Sequence, residues 1–333
     1  MGAQDTICAL ASGAPPSAIA VVRVSGPAVQ TLAKKLLSVG LPPARRATLT
    51  RFSDPGGRLV DEGIAVYAPG PNSYTGEDTL ELYLHGGPAV IEHALAALTA
   101  LEGVRLAEPG EFTRRAFEAG KLDLTQAEGV ADLIEAETLS QKGQALRQLS
   151  GGLSEIYAGW RDELIEILSL VEVLVDFPDE GDVSSDADAP VRARLEALMQ
   201  DVAGALGDRG VGERIRDGFR IAIIGPPNAG KSSLLNRLAR REAAIVTDIA
   251  GTTRDVVEVR LVLGGQVVWI ADTAGLRETE DVVEAEGVRR AERAALEADL
   301  RIHVVDSGDP SPPPRAVEAQ DIVVFNKADL RSP

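Results

Sequence analysis

Hydrophobic and polar positions change period twice along the chain. Short alternating or apolar runs, Ile19 to Val24, Gly63 to Tyr67 and Thr79 to Leu84, read as strands. Interspersed with them, Ala28 to Leu37 and Ala89 to Leu101 space their apolar residues as helices do, which makes the first segment α+β. Past Lys121 the period becomes helical, with Leu122, Leu124, Val130, Leu133 and Ile134, then Leu164, Ile165, Leu168, Val171 and Leu174. Five strongly apolar strands then alternate with helical stretches: Phe219 to Ile224, Val256 to Leu263, Val267 to Ile270, Leu300 to Val305 and Ile322 to Phe325. That alternation predicts an α/β domain with a mainly parallel sheet. The expected organisation is multidomain: α+β over 1–120, α-helical over 121–215 and α/β over 216–333.

Length agrees, since 333 residues at roughly 150 per domain suit two or three domains. Charge narrows the partners. With 34 basic and 51 acidic residues the chain carries −17, which excludes a protein that coats nucleic acid with basic side chains. Most of the excess lies in 121–215, so local patches elsewhere remain open to contact with nucleic acid. The stretch from Asp176 to Pro190 is acidic with no basic residue and is interrupted by Pro178 and Gly181, so it reads as a solvated loop. No run reaches the 18 or so apolar residues of a membrane helix, so no membrane partner is expected. The one cysteine, Cys8, sits in the apolar ICALA as a small core residue. A lone cysteine and the lack of a signal-peptide pattern point to the cytoplasm.

Chemistry concentrates after the strand FRIAII. Gly225 to Ser233, GPPNAGKSS, fits GxxxxGK[ST] and leads into a helical stretch. Backbone N–H groups of Asn228, Ala229 and Gly230 and the helix N-terminus would surround phosphate oxygens, Lys231 would face the β and γ phosphates, and Ser232 would ligate Mg²⁺ beside Ser233. Asp272, Thr273, Ala274 and Gly275 follow the strand VVWI, placing a carboxylate near the Mg²⁺ shell and the Gly275 N–H near the γ-phosphate. Asn326, Lys327, Ala328 and Asp329 follow DIVVF; the Asp329 carboxylate matches the paired donors of guanine and selects GTP over ATP. Between them runs Thr247, Asp248, Ile249, Ala250, Gly251, Thr252, Thr253, where Thr253 could bind Mg²⁺ and sense the γ-phosphate. Leu276 replaces the glutamine that orients water in Ras-type enzymes, which leaves Arg277, Glu278, Glu280, Glu284 and Glu286 as candidates.

GPPNAGKSSLLN, REAAIVTDIAGTTRD, DTAGLRET and NKAD, preceded by PGPNSYTGEDTLEL, LHGGP, PGEFTRRAF and KLDLTQAEGVADLI, resemble the MnmE (TrmE) family of tRNA-modification GTPases along nearly the whole chain. The resemblance implies an N-terminal tetrahydrofolate-binding domain that dimerises, a helical domain, and a P-loop GTPase domain inserted into it. It also implies a K⁺-stimulated GTPase that modifies the wobble uridine of tRNA, adding a carboxymethylaminomethyl-type group. The implied partner is a flavin-dependent subunit of the MnmG type, in a heterotetramer, with 5-formyltetrahydrofolate or a related folate as one-carbon donor. By position, Arg23, Glu81 and Lys121 would line the folate site. Without the resemblance they read as a strand-end arginine, a solvent-facing strand glutamate and a helix-entry lysine. The K⁺ site would fall on Asn228, Thr247, Ile249 and Thr252, and the water-orienting glutamate on Glu284.

The sequence ends four residues after Asp329. The family pattern continues with a Ser-Ala-Lys guanine contact, a last strand and helix, returning helices and a cysteine motif. The expectation is therefore a C-terminally truncated chain of reduced stability, for which impaired GTP binding and turnover is an alternative reading. The alternative function is a GTPase switch in ribosome assembly, which has no reason to bind folate.

Overall fold

The computed structural model describes residues 5–176, 188–207, 209–226, 228–241, 257–272, 293–308 and 317–329. By its internal contacts the chain divides into two units, Met1–Ala127 and Glu128–Pro333.

The first unit is built on six strands: β1 (Thr6–Leu10), β2 (Ser17–Ser25), β3 (Thr48–Ser53), β4 (Leu59–Ala68), β5 (Thr79–Gly86) and β6 (Val104–Leu106), ordered β3-β4-β5-β2-β1-β6. All neighbours are antiparallel except β1 and β6. Period-two alternation sends Val22 and Val24, Ala65 and Tyr67, and Leu80, Leu82 and Leu84 into one core. There they meet the apolar stripes of α1 (Val29–Leu36) and α2 (Pro88–Thr99), among them Leu32, Leu36, Ala94 and Leu98. Pro88 opens α2 in the first turn, where its missing N–H would have no partner within the helix. Cys8 is fully buried in this core, and burial pushes its thiol up to about 11. The same alternation leaves Arg23, Glu81 and Tyr83 together on the other face. α3 (Glu111–Glu118) follows Gly110, whose φ of 74° no ordinary residue adopts comfortably. The division between the units falls within α4 (Leu124–Glu135).

The second unit begins with α5 (Leu139–Leu149), α6 (Gly152–Asp176), α7 (Asp188–Gly207) and α8 (Arg209–Asp217). Thr138 and Gln141 close a reciprocal cap on α5, satisfying two otherwise orphaned N–H groups. Midway along α4, Gly129 lets the helix approach the end of α5; a Cβ there would lie 2.9 Å from the Leu149 nitrogen. α6 and α7 are tied by Arg194, whose Nε and Nη2 donate to Glu163 at 2.7 and 2.8 Å. Two expectations change here. The acidic stretch is shorter than read, since Asp176 ends α6 and Asp188 to Pro190 open α7. Proline is tolerated in a helix's first turn, where no donor is lost. The apolar positions of α6 are largely not core: Ile167 is buried, whereas Leu164, Ile165 and Leu168 stand 50%, 45% and 56% exposed.

Five strands follow: β7 (Phe219–Ile224), β8 (Val257–Leu263), β9 (Gln266–Asp272), β10 (Leu300–Asp306) and β11 (Ile322–Asn326), ordered β11-β10-β7-β9-β8. Every pairing is parallel except the β8–β9 hairpin, which turns on Gly264 and Gly265, both at positive φ. The expected mainly parallel sheet is therefore present. One face packs Ile221, Ile223, Ile270, Ile302 and Val304 against Leu234, Leu235 and Leu238 of α9 (Lys231–Arg241). The other packs Ala222 and Ile224 against Ala295 of a short helix over 293–297.

Candidate functional site

The sharp passage from β7 to α9 forms the loop that the phosphate motif requires. A Cβ on Gly225 would lie 2.3 Å from the Val304 carbonyl oxygen, so the loop leaves the sheet where only glycine fits. Asn228 takes φ 58° and Gly230 φ 98°, turning the backbone back on itself before the helix. The Lys231 side chain is buried, and its Nζ donates to the carbonyls of Gly225 and Pro226 at 2.8 and 2.9 Å. These bonds hold the ammonium inside the arc of the loop. Ser232 and Ser233 are exposed in the first turn of α9, and Ala229 is buried.

The second motif is joined to the first by a hydrogen bond. Asn326 ends β11, and its Nδ2 donates to the Ala229 carbonyl at 2.8 Å. A Cβ on Gly230 would lie 1.9 Å from that same Nδ2, so the glycine is required by the asparagine. Lys327, at φ 59°, donates through Nζ to Asp306 Oδ2 at 2.7 Å. Ser307 donates to the Asn326 carbonyl from both its N–H and its hydroxyl. Ala328 and Asp329 follow in an exposed turn. Asp306 and Ser307 were not singled out from the sequence, although polar residues ending the apolar run LRIHVV are a visible signal.

Behind this frame lies a buried triad. Asp321 accepts from Arg301 Nε at 2.9 Å and pairs with His303 Nε2 at 3.0 Å, with His303 and the Asp321 side chain fully buried. Burial alone would raise the Asp321 carboxyl, but the Glu318 N–H, Arg301 and His303 together hold it below its ordinary value. The triad anchors the chain where it enters β11, one strand length before Asn326.

Asp272 closes β9 in register with Ile223 of β7, at the strand end the sequence indicated. Thr247, Asp248, Ile249, Ala250, Gly251, Thr252, Thr253, Thr273, Ala274, Gly275 and Glu284 lie outside the described residues. Among the described residues no cluster of three or more His, Cys, Asp or Glu could hold a metal. The Ser232 hydroxyl at the head of α9 is an oxygen donor of the kind that Mg²⁺ on a bound nucleotide would take.

In the first unit, Arg23 and Glu81 face each other across β2 and β5. Arg23 Nε donates to Glu81 Oε1 at 2.9 Å, and the Tyr83 hydroxyl donates to Oε2 at 2.8 Å. The hydrogen bond to Glu81 pushes the Tyr83 phenol upward. The Arg23 guanidinium lies 5.4 Å from the Tyr74 ring and 5.5 Å from the Phe112 ring. Lys121, exposed just past α3, passes Gly76 of the segment carrying Tyr74, its Cε 3.7 Å from where a Gly76 Cβ would stand. Tyr74, Tyr83 and Phe112 were not predicted. Tyr83 was legible two residues from Glu81 on one strand face, whereas Phe112 required the fold.

A phosphate loop between the central strand and helix of a mainly parallel sheet, bonded to an Asn-Lys-x-Asp turn, defines a P-loop protein of the guanine-nucleotide class. The first unit and the helical segment that follows it in sequence are more specific. The family signature described as GTP-binding protein TrmE N-terminus matches residues 6–121, and that of the MnmE helical domain matches residues 124–327. The tRNA modification GTPase MnmE of Hyphomonas neptunium is 76% identical over 331 residues, 99% of this chain and 75% of that protein. Its counterpart from Azorhizobium caulinodans is 55% identical over 328 residues, 98% of this chain and 74% of that one. The chain belongs to the MnmE family. A solved structure of an Aquifex aeolicus Era variant bound to GDP.AlF4- is 29% identical over 34% of this chain and 42% of that chain, at a TM-score of 0.24, too slight an overlap to bear on function. Among the described residues no helix is long and apolar enough to cross a membrane.

Proposed function

We propose that the chain binds and hydrolyses GTP as a component of tRNA wobble-uridine modification, with a reduced folate bound by its first unit. The observation that carries the nucleotide reading is the Asn326–Ala229 hydrogen bond, which fixes the guanine-selecting turn to the phosphate loop. Backbone N–H groups from Asn228 to Ser233 cradle the phosphates, Lys231 neutralises the β and γ oxygens, and Asp329 accepts from guanine. Ser232 and Thr253 would hold Mg²⁺, which neutralises charge on the bridging phosphates when bound. Asn228, with Thr247, Ile249 and Thr252, would hold K⁺. Glu284 orients the water that attacks the γ-phosphorus as its bond to the β–γ bridging oxygen breaks.

In the first unit the Arg23–Glu81 pair and Lys121 supply a carboxylate for paired ring donors and cations for an anionic tail, the chemistry that 5-formyltetrahydrofolate presents. Residues 1–120, 121–215 and 216–333 act as folate-binding and dimerising, helical, and GTPase domains of a cytoplasmic homodimer. The homodimer works with a flavin-dependent partner subunit on tRNA. GTP turnover in K⁺ against Na⁺ tests the reading: we expect faster hydrolysis in K⁺, and equal rates would remove the cation mechanism. Binding of 5-formyltetrahydrofolate separates it from a ribosome-assembly switch.

A further inference from the structure

The two rings against Arg23 come from separate parts of the first unit. Tyr74 lies in the segment between β4 and β5, and Phe112 lies in the first turn of α3. Their separation is set by what joins these parts. One tie is direct: the Tyr74 and Thr113 hydroxyls are 2.9 Å apart. The rest is a buried chain of charges. Arg115, its side chain 7% exposed, donates through Nη1 to both Glu77 oxygens at 3.1 Å and to the Asp5 carbonyl at 2.9 Å. Its Nη2 donates to Glu111 Oε1 at 3.0 Å. Glu111, 2% exposed, also accepts both Arg105 Nη groups at 2.6 and 2.8 Å and the Glu108 N–H at 2.8 Å. Glu77 in turn accepts from the Ser25 hydroxyl at 2.7 Å, two residues along β2 from Arg23.

Glu111 and Arg115, 2% and 7% exposed, are poorly explained by stability, because desolvation offsets most of their attraction and apolar side chains could fill the same space. What an apolar filling could not provide is a fixed length. A guanidinium bonded at both ends sets the spacing between α3 and the Tyr74 segment to within hydrogen-bond tolerance.

We propose that Glu77, Arg115 and Glu111 act as positioning residues. They set the gap between Tyr74 and Phe112, and these two rings with Arg23 form the wall against which the planar pyrimidinone half of a reduced pteridine ligand stacks. The inference deepens the folate reading and rests on it for the identity of the ligand.

The test uses the full chain with 5-formyltetrahydrofolate, comparing Glu111→Gln and Arg115→Lys with Leu98→Ala, a truncation of the apolar core in the same unit at a residue that carries no charge. Titration calorimetry reads affinity, thermal melting reads stability, and the ring-current shift of the Arg23 Nε–H resonance in the ligand-free protein reads the rings directly. Glu111→Gln and Arg115→Lys should weaken binding on the order of tenfold, the scale that supporting partners of a site commonly carry, and should move the Arg23 resonance. Leu98→Ala should melt earlier with affinity and resonance unchanged. Should Glu111→Gln fail to fold, Arg115→Lys, which keeps the charge and loses the fork, decides alone. Losses of affinity that merely follow melting temperature in all three variants, or an unmoved Arg23 resonance, would overturn the proposal. Failure of the unaltered chain to bind the folate would overturn the folate reading, and the positioning role would then stand or fall on the Arg23 resonance.

Discussion

Gly230 shows how one atom can hold two motifs together. Its φ of 98° and the 1.9 Å approach of Asn326 Nδ2 mean that a methyl group at this position strains the backbone and displaces the asparagine. Gly230→Ala should cost about 2 to 4 kcal/mol by overpacking and backbone strain. It should also weaken GTP binding more than tenfold, read by fluorescent-nucleotide titration alongside chemical denaturation. Glu111 acts through charge. Its hydrogen bonds from Arg105 bring its carboxyl from an ordinary 4.5 down to about 2. A carboxyl depressed on folding stabilises fully above its unfolded value and loses that contribution as pH falls through its folded one. The first unit should therefore lose stability between about pH 4.5 and pH 2. Glu111→Gln should flatten that limb, measured by urea unfolding across the range.

Elements were legible in proportion to how far local pattern decides them. β7 occupies the residues that the apolar run FRIAII marks, because a buried parallel strand is apolar on both faces and its ends are abrupt. β9 runs beyond Val267 to Ile270, because Ala271 and Asp272 continue to pair with β7 and β8 whatever their polarity. The phosphate loop and the Asn326 turn were readable since each is a contiguous motif, but their shared hydrogen bond spans the sheet and is invisible to spacing. α6 was readable as a helix and not as an exposed one, since period gives the stripe and says nothing of what meets it. Arg23, Glu81 and Lys121 were named singly, through the family resemblance; the approach of the Tyr74 and Phe112 rings to Arg23 depends on two elements coming together. At this scale the Arg301–Asp321–His303 triad pins the approach to β11. Asp321→Ala would leave the buried His303 without this partner and Arg301 with Glu318 alone, at a cost of about 1 to 3 kcal/mol. The second unit should melt earlier in Asp321→Ala while the first is unaffected, as separate thermal transitions would show.

Across the whole molecule, the two units carry separate hydrophobic cores, one between the six-stranded sheet and α1 and α2, the other around the five-stranded sheet. Each has its own ligand under the proposed function. Calorimetry should resolve two unfolding transitions. A hundredfold excess of 5-formyltetrahydrofolate over its Kd should stabilise one of them by about 2.7 kcal/mol, and GTP with Mg²⁺ should do the same for the other. A single transition shifted equally by both ligands would contradict this independence. The sole cysteine of the chain has a use that follows from where it sits. Cys8 is sealed in the first core with its thiol raised to about 11, so at neutral pH it offers almost no thiolate to a reagent. The protein is therefore already blank for thiol labelling. A cysteine placed at exposed Leu49 in the first unit and another at exposed Val211 in the second would be the two reactive positions, and spectroscopic labels on that pair would read the distance between the units with the native cysteine left in place.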